Sequence, residues 1–494
     1  MFRHGLATAM FMILTLACGR SETSQLSSLA SSVAPAPTLN EIAARFAPIV
    51  HLHPQELYFP MDPEAFLVRS DSTRNEDFYR STRRDFREGR QGRTVVNISD
   101  DGRQIQYWLF YAKNGCQGGK VRFRVSGPIK LGNVGEMTKS LELCNIAIHE
   151  GDWENVTLRL NEDLSAVESI YLSSHGYGSW LPASAVEFRN GRPYVYSALN
   201  SHAFYAKDIG FHADTTISHD MLDGVLGVEW FQIGDIISDL TVTQANPEDD
   251  VTLNEFDTQK SLVLYDEISN TALKHYESAW GRLVNAKEVK DIPEFAPGAI
   301  EWILKNALKV ALQFAPELKS LSNGEAPSGP WTRSDWANFD ANKGNGKTGI
   351  SFDKAVGGTG GHAFTDYEKL KKVSEFQVNE ISIRSGDRID LVCLKVSSLP
   401  DLCHGGNGGN EQRLELSLGE HVVEQAMAMG KKGSDTRIFG IRFTTNLGRV
   451  LEGGTWTSDS VVQKAPRGMQ LVGWFGTNGE EIDSLGPLYG TVNE

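Results

Sequence analysis

The sequence predicts a mainly β protein in two large parts. A β-sandwich-like amino-terminal domain with a few helices precedes a carboxy-terminal domain of three similar β units. Three observations carry this. A chain of 494 residues is too long for one core. Runs such as Gln104-Ile105-Gln106-Tyr107-Trp108-Leu109-Phe110-Tyr111 are rich in the aromatic and β-branched residues that pack on a pleated surface. And Gly357-Gly358-Thr359-Gly360-Gly361 returns as Gly405-Gly406-Asn407-Gly408-Gly409, while Gly453-Gly454 opens a third, degraded copy. The first glycines are 48 residues apart both times, a period that implies three β units closed about a pseudo-threefold axis.

Composition narrows the function. With 40% hydrophobic and 22% charged residues the chain is ordinarily globular, and its net charge of −15 argues against a nucleic-acid partner. The one Arg-rich run, Arg83 to Arg90, is interleaved with acids and reads as a solvated loop.

Taken in order, residues 1–18 read as an export signal. A short polar start precedes an apolar run that is too brief to span a bilayer. The run ends Leu14-Thr15-Leu16-Ala17-Cys18-Gly19, which resembles the bacterial lipobox with Thr15 where that motif prefers Leu. By that resemblance Cys18 carries lipid; the alternative is secretion by plain signal cleavage. Residues 19–38, rich in Ser, Ala, Thr and Pro, read as a flexible tether. The expected location is a cell-envelope lipoprotein or a secreted protein. Of the other four cysteines, Cys116 and Cys144 fall close together in one half and Cys393 and Cys403 in the other. In an oxidising compartment this predicts two disulfides within the halves, with four free thiols as the alternative.

Residues 39–338 form the first large domain. Glu41 to Phe46 reads as a short helix stopped by Pro48, then Ile49 to Pro60 as a strand and loop. Later strands are placed at residues 169–173, 185–188 and 193–197. Residues 298–314 fit an amphipathic helix, which either packs on the domain or lies on a membrane surface. Within this domain stands His149-Glu150-Gly151-Asp152-Trp153-Glu154, followed by the alternating run Asn155 to Leu160. On a strand, Asp152 and Glu154 share a face and His149 does not. A bulge at Gly151 would bring His149 onto that face. One imidazole and two carboxylates suit a divalent cation or a general acid/base pair. Mainly oxygen ligands favour Ca²⁺, Mg²⁺ or Mn²⁺ over Zn²⁺. His175 and His202, each beside small residues, are candidates for the same cleft; the alternative is that both are structural.

Two family resemblances follow from these residues. Phe46-Ala47-Pro48 through His53-Pro54-Gln55-Glu56-Leu57-Tyr58-Phe59-Pro60, Tyr107 to Tyr111, and His149 to Glu154 resemble the vacuolar protein sorting-associated protein 62 family. The likeness continues through Tyr171 to Gly176, Val195 to Ser197, Ser201 to Ala203, Trp280-Gly281-Arg282 and Pro327 to Pro330. Separately, His-x-x-Asp-Trp-Glu is similar to the core motif of the necrosis-inducing (Nep-like) cytolysins, where such residues hold a metal. That likeness implies His149, Asp152 and Glu154 as ligands, although Gly151 stands where the cytolysins have a second histidine.

Residues 350–492 resemble the jacalin-related lectins, which implies a β-prism. The matching stretches are the two glycine loops with Phe364 and His404, Phe443 to Asn446, Val472 to Gly476, and Gly479-Glu480-Glu481-Ile482-Asp483. The last fits the family's Gly-x-x-x-Asp sugar loop. By the resemblance, Asp483 accepts hydrogen bonds from sugar hydroxyls, while Gly361, Glu480 and Glu481 contribute backbone groups. The second loop, Gly405 to Gly409, adds a further site in some members. The expected partner is a neutral glycan of mannose or galactose type, with the acidic loop disfavouring anionic sugars.

Three functions remain open from sequence. One is an exported, membrane-tethered lectin whose amino-terminal domain acts on membranes or surfaces without turnover. Another is a metal-dependent hydrolase targeted by the lectin, and the third an adhesin that only binds. The chain has no nucleophile elbow, HExxH or phosphate loop.

Overall fold

The Gln104–Asn114 and His149–Leu160 strands lie antiparallel at the centre of a seven-stranded sheet in the computed structural model, with Tyr107 opposite Val156 and Tyr111 opposite Asp152. The model describes residues 36–115, 117–124, 136–143, 148–175, 177–217, 228–237, 254–282, 326–337, 339 and 349–492. Residues 1–18, Cys116, Cys144 and residues 298–314, where the export signal, one disulfide and the amphipathic helix are expected, lie outside these. The register partners that flank the two cysteines are Gln117 and Leu143.

Alternation along Gln104–Asn114 decides the layering. Tyr107, Leu109 and Tyr111 enter one buried cluster, while Trp108, Phe110 and Ala112 enter another on the opposite face. The first face packs against a five-stranded sheet in which Ile49–Leu52 runs parallel to Arg192–Ser197. Val50, Leu52 and Val195 of that sheet share the first cluster, giving the expected sandwich. The Leu39–Phe46 helix seals it, held by a capping box between Thr38 and Glu41. The second face is covered by Phe66, Trp153, Trp280 and Tyr79. Tyr79 lies on the Glu76–Arg87 helix, which takes in Arg83 and carries Arg84 and Arg87 in its last turn. The expected Arg-rich loop is therefore mostly helix, because Asn75 caps it and the basic last turn suits the helix dipole. A third, four-stranded sheet orders Phe211–Ile217, Val228–Ile236, Gln117–Arg124 and Glu136–Leu143.

The carboxy-terminal part is three sheets. In one, Leu402–Gly405, Ile389–Val396, Val378–Ser385 and Asn410–Glu415 lie in that order; in the next, Val450–Gly454, Asp435–Thr445, Val422–Lys432 and Ser460–Lys464. Each is a Greek key, in chain order third, second, first, fourth. The remaining sheet has the same pattern built from both ends of the domain. Met469–Asn478 and Ile482–Thr491 supply its first two strands, and Ile350–Phe352, Val356–Gly357 and His362–Thr365 the rest. This is the expected β-prism. The Cys393–Cys403 disulfide is present, between register partners of adjacent strands.

The two parts do not separate. Thr38 to Glu494 form one compact unit, and a single buried cluster runs from Ile42 to Tyr489.

Candidate functional site

Gly151 is where the His149–Leu160 strand departs from regularity. Its φ is +64°, and a Cβ there would lie 1.9 Å from the Trp280 carbonyl oxygen, so only glycine fits. The kink puts Glu150 and Trp153 on the same side. Glu150 is buried and receives the backbone N–H and guanidinium of Arg282, with the Tyr79 hydroxyl. Asp152 and Glu154 face the other way.

The expected convergence of His149 with them does not occur. Both ring nitrogens of His149 are engaged locally, Nδ1 with Gly151 O at 2.7 Å and Nε2 with the Asn114 amide at 3.0 Å. Asp152 pairs instead with His202 Nδ1 at 2.8 Å, and Glu154 accepts the Ser173 hydroxyl. Among the described residues, the one grouping that places three ligand atoms of His, Cys, Asp or Glu within 4.8 Å is Cys393, Asp401 and Cys403. Two of those form the disulfide. His149, Asp152 and Glu154 do not fit a shared divalent cation.

His202 is fully buried, stacked on Tyr111 with ring centres 3.8 Å apart, and its Nε2 stands 3.7 Å from Glu56 Oε1. Burial would push the imidazole down, but Glu56 and the bond to Asp152 outweigh it and hold His202 at about 9. Burial, with Asp152 beside it, raises Glu154 to about 8. One proton on Glu154 and one positive charge on His202 lessen the repulsion among Glu56, Asp152 and Glu154. His175 sits elsewhere in the same region, 2.7 Å from the buried Asp235, which also receives the hydroxyls of Ser201 and Tyr205. Sequence reasoning missed Glu56 and Asp235 as members of this network. Glu56 stands in the quoted family stretch, where its acceptance of three backbone N–H groups (Leu57, Tyr58 and Asn200) had no sequence signature.

In the carboxy-terminal domain the two intact glycine loops are built alike. The N–H of Gly358 donates to Asp483 O, and that of Gly406 to Asp390 O, both at 2.8 Å. A Cβ on Gly360 or Gly361 would stand 2.4 or 2.6 Å from the Asp483 carboxylate; on Gly408 or Gly409 the same distances apply to Asp390. Each loop therefore wraps one carboxylate. In the third key, Thr455 N–H donates to Phe439 O at 2.8 Å, so Phe439 holds the strand position that Asp483 and Asp390 hold in the other two. Asp390 was missed in the sequence. The signal was there: Gly386-Asp387-Arg388-Ile389-Asp390 repeats the pattern of Gly479-Glu480-Glu481-Ile482-Asp483.

The two carboxylates differ in exposure. Asp390 is partly exposed, between exposed Gly386, Asp387 and Gly408. Its Oδ2 accepts the Gly386 N–H, and Arg384 pins the facing loop through Gly408 O and Gly409 O, both at 2.9 Å. Asp483, expected among exposed amides, is 0% exposed. Neither of its oxygens has a hydrogen bond, although Arg437 Nη1 lies 3.0 Å away as an ion pair without hydrogen-bond alignment. Such a group costs about 1–3 kcal/mol, and burial raises its carboxyl to about 6 against the pull of Arg437 and Arg122. The loop is not acidic in effect either. Glu481 is bonded by Arg388 at 3.0 and 2.8 Å and by Lys432 at 2.8 Å, which holds it down at about 2. Glu480 is exposed, its backbone against Gly406.

Comparison with known proteins agrees with this division. Residues 102–223 match the family model of vacuolar protein sorting-associated protein 62, and residues 354–488 that of the jacalin-like lectin domain. The chain therefore carries a region of the first family followed by a jacalin-like lectin domain. Horcolin from Hordeum vulgare subsp. vulgare is 24% identical over 136 residues, covering 26% of this chain and 90% of horcolin. Among solved structures, a mannose binding jacalin related lectin from Ananas comosus is 19% identical over 29% of this chain and 99% of its own, with a TM-score of 0.26. Malaysian banana lectin is 22% identical over 29% and 100%, also at 0.26. The artocarpin–mannotriose complex is 17% identical over 28% and 95%, at 0.24.

Proposed function

We propose that this protein is a carbohydrate-binding protein that takes a neutral hexose at Asp390, between residues 386–390 and the Gly405–Gly409 loop. One observation carries the reading: a partly exposed carboxylate is wrapped by Gly408 and Gly409, both exposed, where any Cβ would run into that carboxylate. Vicinal hydroxyls of a mannose- or galactose-type sugar can donate to the carboxylate in charge-assisted bonds, while loop N–H groups donate in return. The family model over residues 354–488 supports the same class of ligand. Asp390→Ala should leave the fold intact and lower retention on mannose- or galactose-bearing resin at least tenfold; undiminished retention would refute the assignment.

The amino-terminal region serves in this reading as a rigid support. The buried carboxylates of its His149–Glu154 motif are partnered by Arg282, His202 and Ser173, which favours binding over metal-dependent hydrolysis. Export, and tethering to a membrane through lipid on Cys18, complete the proposal on the strength of residues 1–38. Native protein should partition into detergent and Cys18→Ser into the aqueous phase. Equal partition of the two excludes the anchor.

A further inference from the structure

Asp483 has the makings of a second binding centre, yet another part of the chain lies over it. The Trp230 indole, on the Val228–Ile236 strand, donates to Gly361 O at 3.1 Å. The Arg122 guanidinium, on the neighbouring Gln117–Arg124 strand, donates to Thr359 O and acts electrostatically on Asp483. Both contacts fall on the glycine loop that wraps this carboxylate. The docking around them is extensive. Lys207 pairs with Asp353 at 2.9 Å and Lys354 with Asp208 at 3.2 Å, a reciprocal exchange of charge. His212 packs edge-on against Phe352 and Tyr367.

From this we propose that the Asp483 loop is a complete sugar site held shut by the amino-terminal region, with Arg122 and Trp230 as the cap, so that the intact chain binds one sugar where its lectin domain is built for two. The inference rests on the carbohydrate reading above. Three features point to it together. The two glycines that face the carboxylate meet it at the same distance in both loops, 2.4 Å at Gly360 and Gly408 and 2.6 Å at Gly361 and Gly409. The two carboxylates differ in their cover and in their partners, Asp390 accepting the Gly386 N–H and Asp483 having the Arg437 ion pair without a hydrogen bond. And both Asp483 oxygens are buried without a hydrogen bond, the state of a recognition group whose partner is excluded rather than of a structural carboxylate, which would be satisfied internally. Capping makes valency a property of the domain contact. Moving the Trp230 and Arg122 strands off the loop converts a monovalent binder into a bivalent one, which gains avidity for clustered glycans without any new contact to a single sugar.

The test is calorimetric titration of the full chain with methyl α-mannoside and, separately, methyl α-galactoside. Wild type should bind one equivalent and Asp390→Ala none. The Arg122→Ala/Trp230→Ala variant should bind two, and adding Asp390→Ala to it should return the count to one. Asp483→Ala in the wild-type background should change neither stoichiometry nor affinity; this variant needs no opened interface, so it tests the cap even if the double variant misfolds. Two equivalents in wild type, loss of binding in Asp483→Ala, or one equivalent in a folded Arg122→Ala/Trp230→Ala chain would overturn the cap. If no folded variant binds either glycoside, the carbohydrate reading itself fails, and this inference with it.

Discussion

At the scale of single residues, the amino-terminal motif resolves its charges internally. Glu56, Asp152 and Glu154 are all buried, and His202 stands between the first two. His202 adopts φ +59° and nearby Asn200 φ +63°, a backbone state that costs non-glycine residues energy. The ion pair and the Glu56–Asn200 N–H bond hold that turn in place. A pH dependence follows. The folded value of His202 lies near 9, above the ordinary 6.5, so its contribution is fully present below about pH 6.5 and is lost as pH rises through 9. Glu154, whose folded value is also raised, works in the same direction between its ordinary 4.5 and about 8. The melting temperature of wild type should therefore fall between pH 6.5 and 9. His202→Gln should melt lower at pH 6 and show a shallower fall over that window; parallel curves for the two proteins would remove His202 from the explanation.

At the scale of elements, the three Greek keys show how a repeat diverges in function while keeping its shape. The hydrogen bond from the glycine loop to the second strand survives in all three at 2.8 Å, because it closes the connection between third and fourth strands. The carboxylate survives in two, since Phe439 replaces it in the third. Only the middle key carries the Cys393–Cys403 link, across its second and third strands. Closing a loop of ten residues should contribute roughly 2–3 kcal/mol through the unfolded state. Cys393→Ala should thus lower the unfolding free energy from denaturant titration by that amount and leave retention on sugar resin unchanged, since Asp390 keeps its backbone partner across the same pair of strands. A midpoint that does not move would mean the loop is already restricted when reduced.

At the scale of the molecule, the amino-terminal and lectin parts share apolar packing and paired charges. A contiguous cluster from Ile42 to Tyr489 means that unfolding one part exposes apolar surface of the other. Calorimetry should show one unfolding transition for residues beyond Thr38, with calorimetric and van't Hoff enthalpies in agreement. Two resolved transitions would show that the parts are energetically independent and that the cap over Asp483 is correspondingly weak.

The sequence by itself determined what depends on pattern and local chemistry. Alternation and β-branched content located the strands at residues 104–111 and 193–197, and the 48-residue glycine period established three equivalent units. Gly151 was legible as a hinge because glycine alone tolerates a positive φ beneath the Trp280 carbonyl. The Cys393–Cys403 pairing followed from proximity along the chain. What only the tertiary structure decided were relations between residues far apart in sequence. His149 was expected to join Asp152 and Glu154, yet strand pairing gave it Asn114, while a turn 50 residues on delivered His202 to Asp152. Asp483 matched a sugar loop residue by residue, but exposure is set by whatever packs on top, and Trp230 and Arg122 lie more than 130 positions from the glycine loop they bond to. A motif specifies the groups a site contains; whether solvent and ligand reach them is decided by long-range packing, which leaves no local trace in the chain.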